Sequence, residues 1–334
     1  MKKKPKGHWL IFFLISSCFL GSFSLEANPF AIDFPAKENL SNEDFLYVQD
    51  LLRSIDITPL LKELYLDNDP NYTHLDDFSW RCKRGLRQTF IDPKNGRFPS
   101  KHLEKIGKKS NMCFVTCVPY DGIYPDLVIK LSKVLKKVGF NGFFLYYMGG
   151  FPNPTGKEIQ YAGVPYCFKI FAMLEAYKLG FKKVLWIDAA VLPLRDPTPL
   201  FEWLDKHEAF LMEKVGTDTE RYVFPATRQL LKDLTGTDVL DTRFIRTIVF
   251  GLKMNSPKVQ KLIETYYEFV KLGTPFLSCY PEEFVLTSII GQEEFRHWKT
   301  QPFKLLKGSS NKQDNHCKIK KAKDDGFYFY HLIH

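Results

Sequence analysis

The hydrophobic pattern of this chain changes near Asn111. Before it, residues 38–97 mix polar and apolar positions in a helical manner. Thr58 and Pro59 ahead of LLKELYL make a helix start, because proline is tolerated where a first turn has no hydrogen bond to lose. After Asn111 the pattern is regular. Residues 112–118 read as a buried strand, 125–138 as an amphipathic helix stopped by Gly139, and 143–147 as a second strand. A Gly- and Pro-rich loop spans 149–164, a helix runs from about 165 to 179 and stops at Gly180, and a strand follows at 184–187. Strands and helices alternating at this spacing predict a parallel α/β sheet with right-handed crossovers. Residues 209–212 and 247–254 read as further strands. Ser256 and Pro257 open a helix at 258–272 whose apolar stripe is Val259, Leu262, Ile263, Tyr266, Phe269 and Val270, and residues 282–290 form a shorter helix.

The strand Val184, Leu185, Trp186, Ile187 has no polar alternation, which suits a strand covered on both faces, and it closes on a lone carboxylate, Asp188. Ligands of open α/β sheets collect at the carboxyl ends of such strands. Chemistry is therefore expected at Asp188, although an Asp in this position also serves simply to start a turn.

Composition narrows the class. A chain of 334 residues with 45% hydrophobic content buries a substantial core. The net charge of +9 would suggest nucleic acid or an anionic membrane, but most of it lies at the ends. Lys2, Lys3, Lys4 and Lys6 open the chain, and residues 299–325 hold eight lysines against three aspartates. The body between is nearly neutral and shows no basic face interleaved with stacking aromatics, so nucleic acid is not an expected partner. The lysines followed by the apolar residues 9–25 have the layout of a secretory signal or a membrane anchor. Cleavage near Ala27 and an uncleaved anchor with cytoplasmic lysines are the two readings; both give an exported or membrane-associated body. Of seven cysteines none forms a CxxC pair, so a structural zinc site is not expected, and Cys113 and Cys117 belong to a buried strand.

Four segments, in order, carry a resemblance: YCFKIFAMLEAYKLG, KKVLWIDAAVLPLRDPTPLFEWL, FGLKMNSPKVQKLIETYYEFV and PEEFVLTSII. Together they resemble the successive landmarks of nucleotide-sugar-dependent glycosyltransferases of the GT-A fold, over about residues 111–290. The resemblance implies a three-layer α/β/α sandwich around a mostly parallel sheet at residues 111–334, with a basic C-terminal tail. A helical N-terminal extension at 28–110 and the targeting segment at 1–27 would precede it. It implies transfer of a hexose from a nucleoside-diphosphate sugar to a hydroxyl on a glycan, lipid or protein. For such an enzyme the secreted space or the Golgi or ER lumen of a eukaryote is the expected location. In the family the strand ends in a DxD-type motif whose two carboxylates hold Mg²⁺ or Mn²⁺ against the diphosphate, since hard cations prefer oxygen ligands. Here Ala190 stands where the second Asp would be.

That departure leaves three expectations open: Asp188 shares a metal with a distant ligand such as His331 or His334, works without metal beside Lys169, or marks a site that binds without turnover. The resemblance places Lys169, on the helix before the motif, at the donor diphosphate, where Arg195 is a second candidate cation. It places Tyr120 and Asp121 at the base and ribose, the ring stacking and the carboxylate accepting from a hydroxyl. Glu283 or Glu282 occupies the segment that holds the acceptor's general base, and Glu213, after the strand at 209–212, is a further candidate near the sugar. Asp196 reads as a cap or turn residue ahead of Pro197. The alternative to an enzyme is a catalytically inactive transferase-like protein that binds carbohydrate or a partner.

Overall fold

The computed structural model describes residues 28–37, 39–60, 75–108, 111–152, 157–214, 219–298, 304–308 and 315–332. The targeting segment, the continuation of the helix expected from Thr58, and His334 lie outside the described residues. Among the described residues no helix is long and apolar enough to cross a membrane.

In chain order the elements are α1 (Asn42–Ser54), α2 (Leu75–Leu86), β1 (Ser100–Lys105), β2 (Met112–Val118), α3 (Tyr124–Lys137), β3 (Phe143–Met148), α4 (Phe168–Lys178) and β4 (Lys183–Ile187). They continue with β5 (Val191–Pro193), α5 (Thr198–His207), β6 (Ala209–Glu213), α6 (Pro225–Thr235), β7 (Ile245–Lys253), α7 (Pro257–Leu272), α8 (Pro281–Gly291), β8 (Leu306–Gly308), α9 (Asn315–Asp324) and β9 (Phe329–His331). Six strands form one sheet in the order β1-β3-β2-β4-β7-β6. Successive side chains of a strand point to opposite faces, and this alternation creates two cores. Cys113, Val115, Cys117, Val184 and Trp186 face one, which α1, α2, α4, α7 and α8 cover. Phe114, Val118, Leu185 and Ile187 face the other, under α3, α5 and α9. The fold is thus a three-layer α/β/α sandwich.

The expectation of a mostly parallel sheet holds at its centre and is corrected at its edges. β2 runs parallel to β3 and β4, because α3 and α4 supply the crossovers that parallel pairing needs. β1 against β3, β7 against β4 and β6 against β7 are antiparallel. Residues on both sides of position 110 share this sheet and core: β1 pairs with β3 from Ser100↔Met148 to Lys105↔Phe143, and α1 and α2 bury Phe45, Val48, Phe78 and Cys82 in the same core as α4. SKHLEK carries too much charge to read as a core strand. An edge strand half open to water tolerates that pattern.

Two further placements build the site. From β2 the chain crosses by α3 to β3 on one side, then by α4 back past β2 to β4 on the other, so a crevice opens beyond the carboxyl ends of β2 and β4. The C-terminal stretch expected as a tail returns to this point: β9 lies between β5 and β8 in a second, three-stranded sheet, with His331 opposite Val191. Phe329 and Tyr330 are wholly buried there. Phe329→Ala is expected to cost about 3–5 kcal/mol in urea unfolding, the range for truncating a buried aromatic; a loss under about 1 kcal/mol would contradict this docking.

Candidate functional site

A cavity of about 390 Å³ occupies the crevice, with Val118 and Pro119 from the end of β2 and Asp188, Ala189 and Ala190 from the end of β4 in its wall. The backbone fixes Asp188 from both sides. Its N–H donates to the Ile248 carbonyl at 2.9 Å, carrying the β4–β7 ladder one residue further, and its own carbonyl accepts from the Val191 N–H at 2.9 Å to close the turn into β5. The side chain is 30% exposed. Oδ1 accepts from Trp186 Nε1 at 2.6 Å and lies 3.2 Å from Lys169 Nζ.

Lys169 sits in the first turn of α4 and is buried. Its ammonium meets four oxygens: Glu282 Oε1 at 2.8 Å, Thr247 Oγ1 at 3.1 Å, and the Thr247 carbonyl and Asp188 Oδ1 each at 3.2 Å. An ammonium has three protons, so its donor capacity is used up inside the protein. Burial works against the charge, but Asp188 and Glu282 outweigh it and hold the Lys169 pKa above its ordinary value.

The remaining wall comes from a strand overhang and a helix start. Pairing of β7 with β4 stops at Ile187↔Val249, so Arg246 and Thr247 project beyond the end of β4. Glu282 and Glu283 occupy the first turn of α8, where the unpaired N–H groups of a helix favour carboxylates. Thr247 donates through Oγ1 to Glu282 Oε1 at 2.7 Å, and Glu283 Oε1 accepts from Thr247 N and Arg246 Nε, each at 3.1 Å. Among the described residues Glu283 Oε2 is buried with no hydrogen-bond partner. Burial pushes the Glu283 pKa up, and Glu282 adds to this against the pull of Arg246 and Lys169.

On the side facing α2 the cavity is aromatic and cationic. Phe78, Cys82 and Leu86 form the buried stripe of that helix, while Arg81 and Gly85 reach the cavity. The Arg81 guanidinium carbon is 5.0 Å from the ring centroid of Tyr280 and 5.7 Å from that of Tyr166. Arg246 approaches Tyr280 at 5.6 Å. Tyr166 has φ of 59°, a left-handed conformation costing about 1–2 kcal/mol for a residue with a Cβ.

The structure brings together Asp188, Lys169, Glu282, Glu283, Ala190 and His331. Ala190 also accepts, through its carbonyl, from the Leu332 N–H at 2.9 Å. It does not bring Tyr120, Asp121 or Glu213 into the cavity wall. The Tyr120 hydroxyl donates to the Phe98 carbonyl at 3.1 Å beneath Arg97, and Asp121 accepts from the backbone and hydroxyl of Thr89, so both secure the segment leading to β1. Glu213 ends the edge strand β6 opposite Ile245. Arg195 donates to the Lys323 carbonyl and stacks on Tyr328, holding α9, and Asp196 accepts from Thr198 N and Oγ1 at the start of α5. Arg81, Arg246 and Tyr280 were not foreseen. An arginine inside the apolar run FIRTIVF was the one local signal, because a charge on such a strand needs a partner.

The donor set does not fit a divalent ion on Asp188. Asp188 Oδ1 and Glu282 Oε1 both bind the Lys169 ammonium, a cation already in place, and among the described residues no three His, Cys, Asp or Glu side chains gather as metal ligands. Lys169→Met is expected to destabilise the fold by about 3–5 kcal/mol in guanidinium unfolding, because it strands the buried Glu282 carboxylate and removes the cation that faces Asp188. Pairing it with Glu282→Gln should recover part of that loss. A single-mutant cost below about 1 kcal/mol would show that the network is not formed.

No family model matches the chain, and no curated protein matches it. Solved structures of glycosyltransferases do. A glycosyltransferase involved in the glycosylation of the major capsid of PBCV-1 is 14% identical over 66% of this chain and 92% of that one, with a TM-score of 0.37. The galactosyltransferase LgtC, in complex with donor and acceptor sugar analogues, is 13% identical over 68% of this chain and 87% of that one, with a TM-score of 0.36. Mouse xyloside xylosyltransferase 1, in apo form, is 13% identical over 63% and 73%, with a TM-score of 0.30. At such identities and TM-scores, the reading of function rests on the cavity itself.

Proposed function

We propose that the chain transfers a hexosyl group from a nucleoside-diphosphate sugar to a hydroxyl acceptor in the cavity at Asp188. The observation that carries this reading is the juxtaposition of two unlike carboxylates at the crevice of an open α/β sheet. Asp188 lies 3.2 Å from the Lys169 ammonium and is partly open to the cavity; Glu283 is buried, with one oxygen unpartnered among the described residues. In the reaction the bond from the anomeric carbon to the phosphate oxygen breaks and its electron pair leaves with the diphosphate. The acceptor oxygen forms the new bond and its proton must be taken up. Asp188, oriented by Trp186 and Lys169, accepts hydrogen bonds from donor-sugar hydroxyls and faces the positive charge that develops at the anomeric carbon. Glu283 Oε2 takes the acceptor proton, and a raised pKa suits a base working near neutrality.

A second reading, binding without turnover, is favoured by Ala190 and by the internal neutralisation of Asp188. Mass spectrometry of UDP- and GDP-sugars incubated with the protein separates the two. Turnover is expected in the wild type and a fall of at least about 10²-fold in Asp188→Asn, which keeps the contacts to Trp186 and Lys169. Full activity in that variant would remove Asp188 from the mechanism, and nucleotide binding with no turnover in the wild type would leave the second reading.

The pH dependence follows from the direction of the Glu283 shift. Below its raised pKa Glu283 is protonated and cannot accept a proton; above it the carboxylate is available, so the rate should rise with pH through that value and then level. Glu283→Gln is expected to lower kcat about 10²–10⁴-fold and to remove the acid limb. An unchanged limb in the variant would place the base elsewhere.

A further inference from the structure

We infer that the donor's diphosphate is held by Arg81 and Arg246, with Lys214 beside them, around the ring of Tyr280, and that this binding requires no divalent ion. The inference rests on the proposed glycosyl transfer and specifies where the leaving group sits.

Lys169 cannot supply this charge. Its ammonium makes four contacts under 3.3 Å with protein oxygens, so no proton is left for a ligand. Cations with hydrogen-bonding capacity to spare lie elsewhere in the cavity wall. Arg81 and Arg246 both line it, and around the Tyr280 ring centroid stand the Arg81 carbon at 5.0 Å, the Arg246 carbon at 5.6 Å and Lys214 Nζ at 6.0 Å. Three cations on one ring repel one another. Burial lowers the Lys214 pKa and Arg246 lowers it further, which is the cost of that crowding. A dianion between them would turn repulsion into attraction, and more strongly where water is excluded.

Hydrogen-bonding capacity points the same way. Arg81 Nε is buried and has no partner among the described residues. Arg246 binds Glu283 through Nε, leaving the terminal nitrogens of its fork without a hydrogen bond among the described residues. Guanidinium groups pair with phosphate oxygens two at a time, which a lone ammonium cannot do. The same groups would stabilise the diphosphate as it departs, the task that a metal performs on a pair of carboxylates. Arg81 comes from α2, so the segment before residue 110 becomes part of donor binding.

Titration calorimetry with UDP against uridine and GDP against guanosine, in EDTA and in Mn²⁺, tests this. With the wild type in EDTA, one diphosphate is expected to bind at least about 30-fold tighter than its nucleoside, a ratio that Mn²⁺ changes by less than about 3-fold. Arg246→Gln and Arg81→Gln should each lower that ratio about tenfold or more, Lys214→Gln should lower it less, and Arg246→Lys should keep part of it. Circular dichroism checks that each variant is folded; Arg246→Gln and Lys214→Gln carry the test if Arg81→Gln unfolds. A ratio that appears only with Mn²⁺, or that survives Arg246→Gln, overturns the inference and leaves the transferase reading standing. An equal loss for nucleoside and diphosphate also overturns it, because the arginines would then act on the base or the fold. If neither diphosphate binds the wild type in either buffer, the transferase reading itself fails.

Discussion

One ammonium group ties the site to the fold. Lys169 Nζ lies between α4, which carries it, the end of β4 through Asp188, the overhang of β7 through Thr247, and the first turn of α8 through Glu282. A buried charge without partners would be costly, and each of these contacts offsets that cost only if the four elements keep their places. Asp188 therefore cannot move independently of α8, and Glu282 cannot move independently of the sheet. The helix dipole of α8 and the crossover through α4 converge on the same few ångströms.

This arrangement bears on how charge is handled. Two carboxylates that in a metal site would face a mobile divalent ion here face a cation that belongs to the chain. An ammonium so enclosed orients its carboxylates, but it has nothing left for a ligand. Positive charge for an incoming anion must come from a second set of groups. The guanidinium groups of Arg81 and Arg246 stand on the aromatic side of the same cavity. Orienting charge and ligand-binding charge are thus divided between two places.

The parts legible in the sequence are those that local pattern determines. β2, β4 and α7 were readable because apolar runs on both faces of a strand, or a Ser-Pro start and Gly stop around a periodic stripe, leave few alternatives. β1 was hidden because an edge strand can alternate half-buried and exposed positions with none fully buried, and SKHLEK supplies few apolar residues. β5, β8 and β9 are three residues each and exist through their pairing, which no local pattern encodes. In the site, Asp188, Lys169, Glu282, Glu283, Ala190 and His331 were named from sequence and meet at one cavity. Tyr120 and Asp121 were named from their nearness to the end of β2, yet their side chains turn to the loop before β1. Arg81 and Tyr280 carry ordinary local patterns; what distinguishes them is each other, 199 residues apart.

If the Lys169 ammonium holds the position at Asp188 that a divalent cation would otherwise take, Mn²⁺ finds no place there. Electron paramagnetic resonance of Mn²⁺ titrated with the full chain, with and without UDP or GDP, reads this out. Beyond what free nucleotide binds, the six-line spectrum of aqueous Mn²⁺ is expected to persist at full intensity, equally for the wild type and Asp188→Asn. Stoichiometric loss of that spectrum with the wild type, restored in Asp188→Asn, would show a metal on Asp188 and contradict the account.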